Sequence, residues 1–223
     1  MIKSPIYNSG SLMIKRLFDL LISLPCFVIA SPVIILIAIV VRLDSPGNPF
    51  FTQVRVGKNG KRFLLYKIRT LYLHHFGIFP GEESPAPHRI TLIGKKLRQS
   101  KLDELPQLLN IIMGQMSIVG PRPDIPIQVA DYTPWQGQRL SLKPGLTGIS
   151  QVSGNTKLSW PDRIWLDIWY IKNWSWLMDL RIILVTCSII INGEKFDDDP
   201  FHLHGELPGK RNELIAKHSC KFS

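Results

Sequence analysis

Cysteine is scarce in this chain. Only Cys26, Cys187 and Cys220 occur in 223 residues, far apart and with the first two inside apolar runs, which excludes a disulfide framework and a zinc-ligand spacing and favours a reducing, cytosol-facing setting. Acidic residues are also few, 17 against 27 Lys and Arg, for a formal charge of +10. That surplus makes polyanions the natural partners: nucleic acid, anionic lipid or a phosphorylated substrate. No internal repeat divides the chain, and its 45 % apolar content suits one compact domain plus a membrane element.

Charge is missing altogether between Leu20 and Val41. A run of that length can enter a bilayer, since a straight helix needs roughly 20 apolar residues to cross it. A nucleic-acid binder would have no reason for such a segment. Lys15 and Arg16 precede the run as they would in a secretory signal, but it is longer than a signal core, is interrupted at Ser31-Pro32 and is followed by Arg42. Pro25 and Pro32 each remove a backbone donor, so a kink at Ser31-Pro32 is expected. Basic flanks at both ends leave a single span and a re-entrant hairpin both open on these signs.

The organisation reads as a polar segment at 1–11, the membrane helix at 12–43, a catalytic domain at 44–192 and a polar tail at 193–223. After the turn Asp44–Pro49, the pattern predicts a β-hairpin from Phe50–Val56 and Arg62–Thr70. A proline- and histidine-rich loop at 74–90 follows, then short helices from Thr91 onward, broken near Ser100 and resuming at Asp103–Met113. Two helical segments, Trp160–Asn173 and Trp176–Ile191, lie beyond Lys143–Gly148. Five tryptophans, Trp160, Trp165, Trp169, Trp174 and Trp176, crowd this stretch, consistent with interfacial helices or with core packing. In the tail, Asp197–Asp199 with His202 and His204 reads as a solvated run, with a metal site the lesser alternative.

Chemistry concentrates at Arg98–Pro106. Pro106 cannot sit deep in a helix, which places a helix start near Asp103 and puts Asp103 and Glu104 in its first turn. Helix starts favour anions, so a carboxylate nucleophile and phosphate oxygens could share the spot. Adjacent residues diverge by about 100° on a helix, which allows one carboxylate to attack while the other binds metal or moves a proton. Capping and dipole complementation remain the plain alternative. Arg98 lies just upstream, and Arg122 sits in the stiff loop Gly120–Pro123, both suited to phosphate. Lys67 and Arg69, two apart on the expected strand, would share a face, as a second cationic cluster or a solvated surface.

Ordered motifs then carry a resemblance: KRLFDLLIS into ASPVI, SPGNPFFTQVRVGKNGKRFLLYKIRT, KLDELPQLLNIIMGQMSIVGPRP, KPGLTGISQVSG and LDIWYIKN. From about Lys15 to Asn192 the chain resembles the small monotopic phosphoglycosyl transferases, bacterial sugar transferases that act on undecaprenyl phosphate. The resemblance implies a mostly α fold with a small β-hairpin, an N-terminal re-entrant membrane helix broken at Ser31-Pro32, interfacial amphipathic helices and a compact catalytic domain. It places that domain on the cytosolic face of the bacterial inner membrane.

The resemblance further implies ping-pong transfer of a sugar-1-phosphate from a UDP-sugar to polyprenyl phosphate. Asp103 would be the nucleophile, Glu104 its partner carboxylate, and Mg2+ the cofactor held by Asp103 and Glu104. Arg98, Arg122, Lys67, Arg69 and Asp167 would contact substrate, Asp167 with a structural role as the alternative. Expected partners are the UDP-sugar, polyprenyl phosphate and membrane lipid, with no nucleic acid; a homodimer is left open. Ile149 and Asn155 stand where the family commonly has tryptophan and arginine, which bears on the donor sugar. The family's larger members carry extra transmembrane helices before this module, so the chain reads as the minimal catalytic form. A non-catalytic scaffold of a polysaccharide assembly complex is the rival reading, and it gives no reason for the charged motifs.

Overall fold

The structure is a computed structural model, and it describes residues 9–72, 89–192, 200–203, 207 and 208. Most of the loop expected at 74–90 lies outside the described residues, as do Asp197–Asp199 and His204 in the tail.

The chain opens with one long helix, α1 (Ser9–Asp44), assigned continuously through Pro25 and Pro32. Pro32 lacks the N–H that would donate to the Val28 carbonyl in an unbroken ladder. The Ser31 hydroxyl donates to that carbonyl instead, at 2.9 Å. Two stretches of α1 are buried at three- and four-residue intervals, Lys15, Asp19 and Ser23 near the start and Ile34, Ala38 and Val41 near the end. Near the start, Lys15 forms an ion pair with Asp179, which also accepts from Tyr170 Oη at 2.6 Å. The Asp19 carboxylate accepts from Ser117 Oγ and the Ile118 amide, both at 2.9 Å. Near the end, Ile34 and Val41 pack with Ile68 and Leu97 in a small second core. Both ends of α1 therefore rest on one folded body. Its outer stripe, including Met13, Leu21, Ile29 and Leu43, is apolar and exposed.

β1 (Phe50–Val56) and β2 (Arg62–Ile68) form the expected antiparallel hairpin, with Phe51 opposite Lys67. Alternation places Phe63, Leu65 and Lys67 on one face, and Phe63 and Leu65 enter the main core while Ile68 turns to the α1 cluster. α2 (Leu92–Ser100) is capped by Thr91, whose hydroxyl accepts from the Gly94 amide at 2.8 Å. A 3-10 turn at Leu102–Glu104 leads to α3 (Gln107–Ile112). Asn110, fully buried, ties α3 to β2: its side chain accepts from the Tyr66 amide at 3.1 Å and donates to the Leu64 carbonyl at 2.7 Å.

The sequence pattern gave no hint of a second sheet. β3 (Ser117–Val119) pairs in parallel with β4 (Gly145–Thr147), and α4 (Pro126–Ala130) lies between them in the chain. Three-residue strands carry too little alternation to register as periodicity. α5 (Ile149–Val152), α6 (Trp160–Asn173) and α7 (Trp176–Asn192) complete the body, with Ile149, Leu166, Tyr170 and Ile182 in the core. Of the five clustered tryptophans, Trp174 is a core residue and Trp165 and Trp169 pack against the core, while Trp176 stacks edge-on with Phe18 of α1. The fold is thus mostly helical, with two small sheets and one long apolar N-terminal helix that marks membrane association.

Candidate active site

Four elements bring the site together. The left-handed Lys101, at φ 58° and ψ 13°, ends α2 and turns the chain back so that the Leu102–Glu104 turn lies against α2 and β2. The helix start expected near Asp103 is this 3-10 turn, which carries both acids, while the α-helix expected from Asp103 begins only at Gln107. The two carboxylates precede α3, and the amides of Glu104 and Leu105 already donate to the carbonyls of Lys101 and Leu102. Their positive surroundings therefore come from side chains rather than from a row of free helix amides.

Glu104 is the pinned carboxylate. Its Oε1 accepts from Lys67 Nζ at 2.7 Å and lies 3.9 Å from Arg122 Nη2. Burial alone would raise its pKa, but Lys67 and Arg122 outweigh burial and bring it down to about 2. The Glu104 contribution to stability is then fully present above its ordinary value of 4.5 and is lost as pH falls toward 2. Asp103, only 6 % exposed, has the opposite setting. Burial raises it, Lys67 and Arg98 oppose the rise, and the Glu104 charge adds to it. Among the described residues no hydrogen bond engages its carboxylate. Two neighbouring acids are thus pushed apart, which is how one fold supplies two carboxylate roles.

Arg98 is aimed by a residue the sequence did not single out. Its Nε donates to Thr70 Oγ1 at 2.9 Å, and its charge acts on both Asp103 and Glu104. α2 can come this near only because position 94 is glycine: a Cβ there would lie 2.2 Å from the Thr70 carbonyl oxygen. We expect Thr70→Val, which keeps shape and loses the hydroxyl, to lower turnover roughly tenfold with little change in unfolding midpoint. Steady-state kinetics beside thermal unfolding would check both halves.

Arg122 is held through its neighbours. The Pro121 carbonyl accepts from the Gly145 amide at 2.9 Å, the Asp124 carbonyl from the Val56 amide at 2.9 Å, and the Pro123 carbonyl from Arg55 Nη1 at 2.9 Å. The Asp124 side chain is locked by Arg139 and by Tyr132 Oη, the latter at 2.6 Å. Arg139 reaches on to Asp167, with Nε at 2.7 Å. Asp167 is fully buried, so the structure places it behind the Arg122 loop rather than at an open surface. Arg139 gave no local signal in the sequence; Asp124 directly follows the Gly-Pro-Arg-Pro motif.

Arg69 does not join Lys67. β2 ends at Ile68, so the alternation that would align the two residues stops there. Arg69 is buried instead and donates to the carbonyls of Ser45 at 2.7 Å and Pro46 at 3.0 Å, clamping the turn after α1. Lys67, Arg98, Asp103, Glu104 and Arg122 are therefore brought together, while Arg69, Asp167 and the Ser31-Pro32 pair stand apart.

Residues 10–193 match the family model described as bacterial sugar transferase. An uncharacterised sugar transferase, EpsL, of Bacillus subtilis is 39 % identical over 82 % of this chain and 90 % of its own length. A UDP-glucose:undecaprenyl-phosphate glucose-1-phosphate transferase of Caulobacter vibrioides is 37 % identical over 79 % of this chain and 69 % of its own. The undecaprenyl-phosphate galactose phosphotransferase of Salmonella typhimurium is 33 % identical over 85 % of this chain, which spans 43 % of that longer protein. With a match that runs from α1 to the end of α7, the chain belongs to the bacterial sugar transferase family and is an enzyme of that class.

Proposed function

We propose that this chain transfers a sugar-1-phosphate from a UDP-sugar to polyprenyl (undecaprenyl) phosphate and releases UMP, the first membrane step of exopolysaccharide or related glycoconjugate synthesis. The observation that carries this reading is the pair of adjacent carboxylates in opposite settings, one pinned and ionised, the other buried and unbonded, ringed by Lys67, Arg98 and Arg122. Relatives named for glucose and galactose donors make UDP-glucose and UDP-galactose the first to try.

In this reading Arg98 and Arg122 take the donor's diphosphate, and Lys67 stays tied to Glu104. An Asp103 carboxylate oxygen bonds to the sugar-bearing phosphorus as the bond from that phosphorus to the UMP oxygen breaks, and UMP leaves with the electron pair. An oxygen of polyprenyl phosphate then attacks the same phosphorus and displaces the Asp103 carboxylate. No net proton is gained or lost. Glu104 remains ionised and keeps Lys67 and Arg122 in place through both steps.

Mg2+ is the proposed cofactor, with Asp103 and Glu104 as the residues that would hold it. Among the described residues no group of three or more His, Cys, Asp or Glu comes together. Two adjacent carboxylates nevertheless fit an ion that commonly takes one or two carboxylates with substrate phosphate oxygens and water. When bound it would offset the charge of the diphosphate.

The buried stretches of α1 support a monotopic course. A helix with Asp19 and Val41 both against the same folded body cannot have lipid on all sides, so its exposed stripe enters one leaflet, with Ser31-Pro32 as the place where it can bend into a re-entrant path. The catalytic body would then lie on the cytosolic face of the inner membrane, where UDP-sugars are made.

The test is to mix purified protein with each UDP-sugar and Mg2+ in the absence of acceptor. The expected result is about one equivalent of UMP and an intact mass raised by one phosphosugar, lost on adding polyprenyl phosphate. UMP release that requires both substrates at once, with no adduct, would overturn the two-step reading.

A further inference from the structure

Several buried or half-buried cations of the fold are paired with an acid. Lys15 has Asp179, Lys67 and Arg122 share Glu104, and Arg139 bridges Asp124 and Asp167. A group of cations near Gly114 is arranged differently. The point that a Cβ on Gly114 would occupy is 3.4 Å from Arg16 Nη2 and 3.6 Å from Lys143 Nζ, so the heads of a residue on α1 and a residue before β4 crowd the same spot. Burial, then the positive charges of Arg16 and Lys58, hold Lys143 below the usual lysine range, with Asp19 the carboxylate that opposes them. Lys58, from the hairpin turn, is a third half-buried cation whose charge reaches Lys143.

Asp19, which accepts from Ser117 Oγ and the Ile118 amide, is the carboxylate whose charge reaches Arg16 and Lys143, and one negative charge leaves the three cations net positive. Arg16 spends two N–H groups on the carbonyls of Ile111 and Ile112, at 2.6 and 2.8 Å, and keeps its charge. Among the described residues no acidic side chain forms an ion pair with Arg16, Lys58 or Lys143. Three like charges around a single carboxylate still repel one another, and the arrangement is relieved by an anion with several acceptor oxygens. Its place in the fold says where that anion comes from. Arg16 is flanked on α1 by Met13, Ile14 and Leu17, exposed at 77 %, 58 % and 57 %, the apolar stripe that meets lipid. Cations at that level stand where phosphate headgroups lie.

We propose that Arg16, Lys58 and Lys143 form a recognition site for the phosphate headgroup of an anionic membrane lipid, separate from the Asp103 centre. The two sites share no residue. The inference does not rest on the proposed transfer reaction, and its readout is lipid binding.

The experiment uses the full chain with vesicles of phosphatidylcholine alone and of phosphatidylcholine with phosphatidylglycerol. Lys58→Gln/Lys143→Gln should weaken binding to the phosphatidylglycerol vesicles roughly 20-fold and leave binding to pure phosphatidylcholine unchanged. Lys95→Gln/Lys96→Gln, which removes the same charge from exposed positions on α2, should keep most of the affinity. Equal losses in the two double variants would reduce the effect to net charge and overturn the site, as would no loss in the first. Millimolar inorganic phosphate should not abolish the phosphatidylglycerol preference; if it does, the triad takes free phosphate and the lipid assignment fails. UMP release in neutral detergent, measured on the same samples, reports the transferase reading separately, because neither double variant touches the Asp103 centre.

Discussion

Asp103→Asn should abolish transfer while making the protein no less stable. The substitution keeps volume and removes the attacking charge, so turnover should fall by at least about 10^3-fold. Burial raises the Asp103 pKa in the folded state, which means that ionised Asp103 is held at a cost near neutral pH. Asparagine removes that cost, and the unfolding midpoint should hold or rise. The same raised value predicts that activity climbs with pH through a midpoint above the ordinary 3.8 of an aspartate, as the carboxylate ionises. Glu104→Gln should behave in the opposite way: Glu104 is stabilised as an anion, and its loss leaves Lys67 and Arg122 unpaired. Turnover beside thermal unfolding for both variants checks the contrast. An Asp103→Asn protein that keeps near-normal turnover would remove Asp103 from the role of nucleophile.

The centre of this site was legible in the sequence, and its supports were not. Lys67, Arg98, Asp103, Glu104 and Arg122 sit in motifs with strong local signals, whether a proline, a cap or a stiff loop, and the structure gathers all five. The same local logic placed Arg69 beside Lys67 by extending β2 two residues too far; once the strand ends at Ile68, the side chain is free to turn toward Ser45 and Pro46. Thr70, Asn110 and Arg139 were missed because each acts on a partner at least 28 residues away in sequence, or through backbone atoms, and neither leaves a pattern in a window of neighbours. The hairpin and α6 followed from alternation and from helical spacing, whereas the parallel pairing of β3 with β4 depends on a close approach that only the folded chain displays.

Arg139 carries the second large effect. Its guanidinium, 4 % exposed, is the cation between Asp124 and Asp167, and Tyr132 Oη lies 2.9 Å from its Nη1. Arg139→Met preserves much of the bulk but strands two buried carboxylates, and breaking such a group typically costs about 3–5 kcal/mol. The sign of the pH dependence follows from which groups are left. Burial raises the Asp167 pKa and Arg139 opposes the rise, so without the cation the folded variant binds protons more tightly than the unfolded chain and its stability should recover as pH falls. Urea unfolding of wild type and variant at pH 5 and pH 8 checks this; a deficit that does not shrink at the lower pH would refute it. Asp167→Asn is the gentler probe, since it removes one carboxylate and leaves Arg139 paired with Asp124. If Asp167 works through Arg139 and Asp124 on the loop that carries Arg122, that variant should lower kcat more than it raises KM and leave membrane binding unchanged, because the diphosphate still finds Arg98 while Arg122 loses its fixed direction.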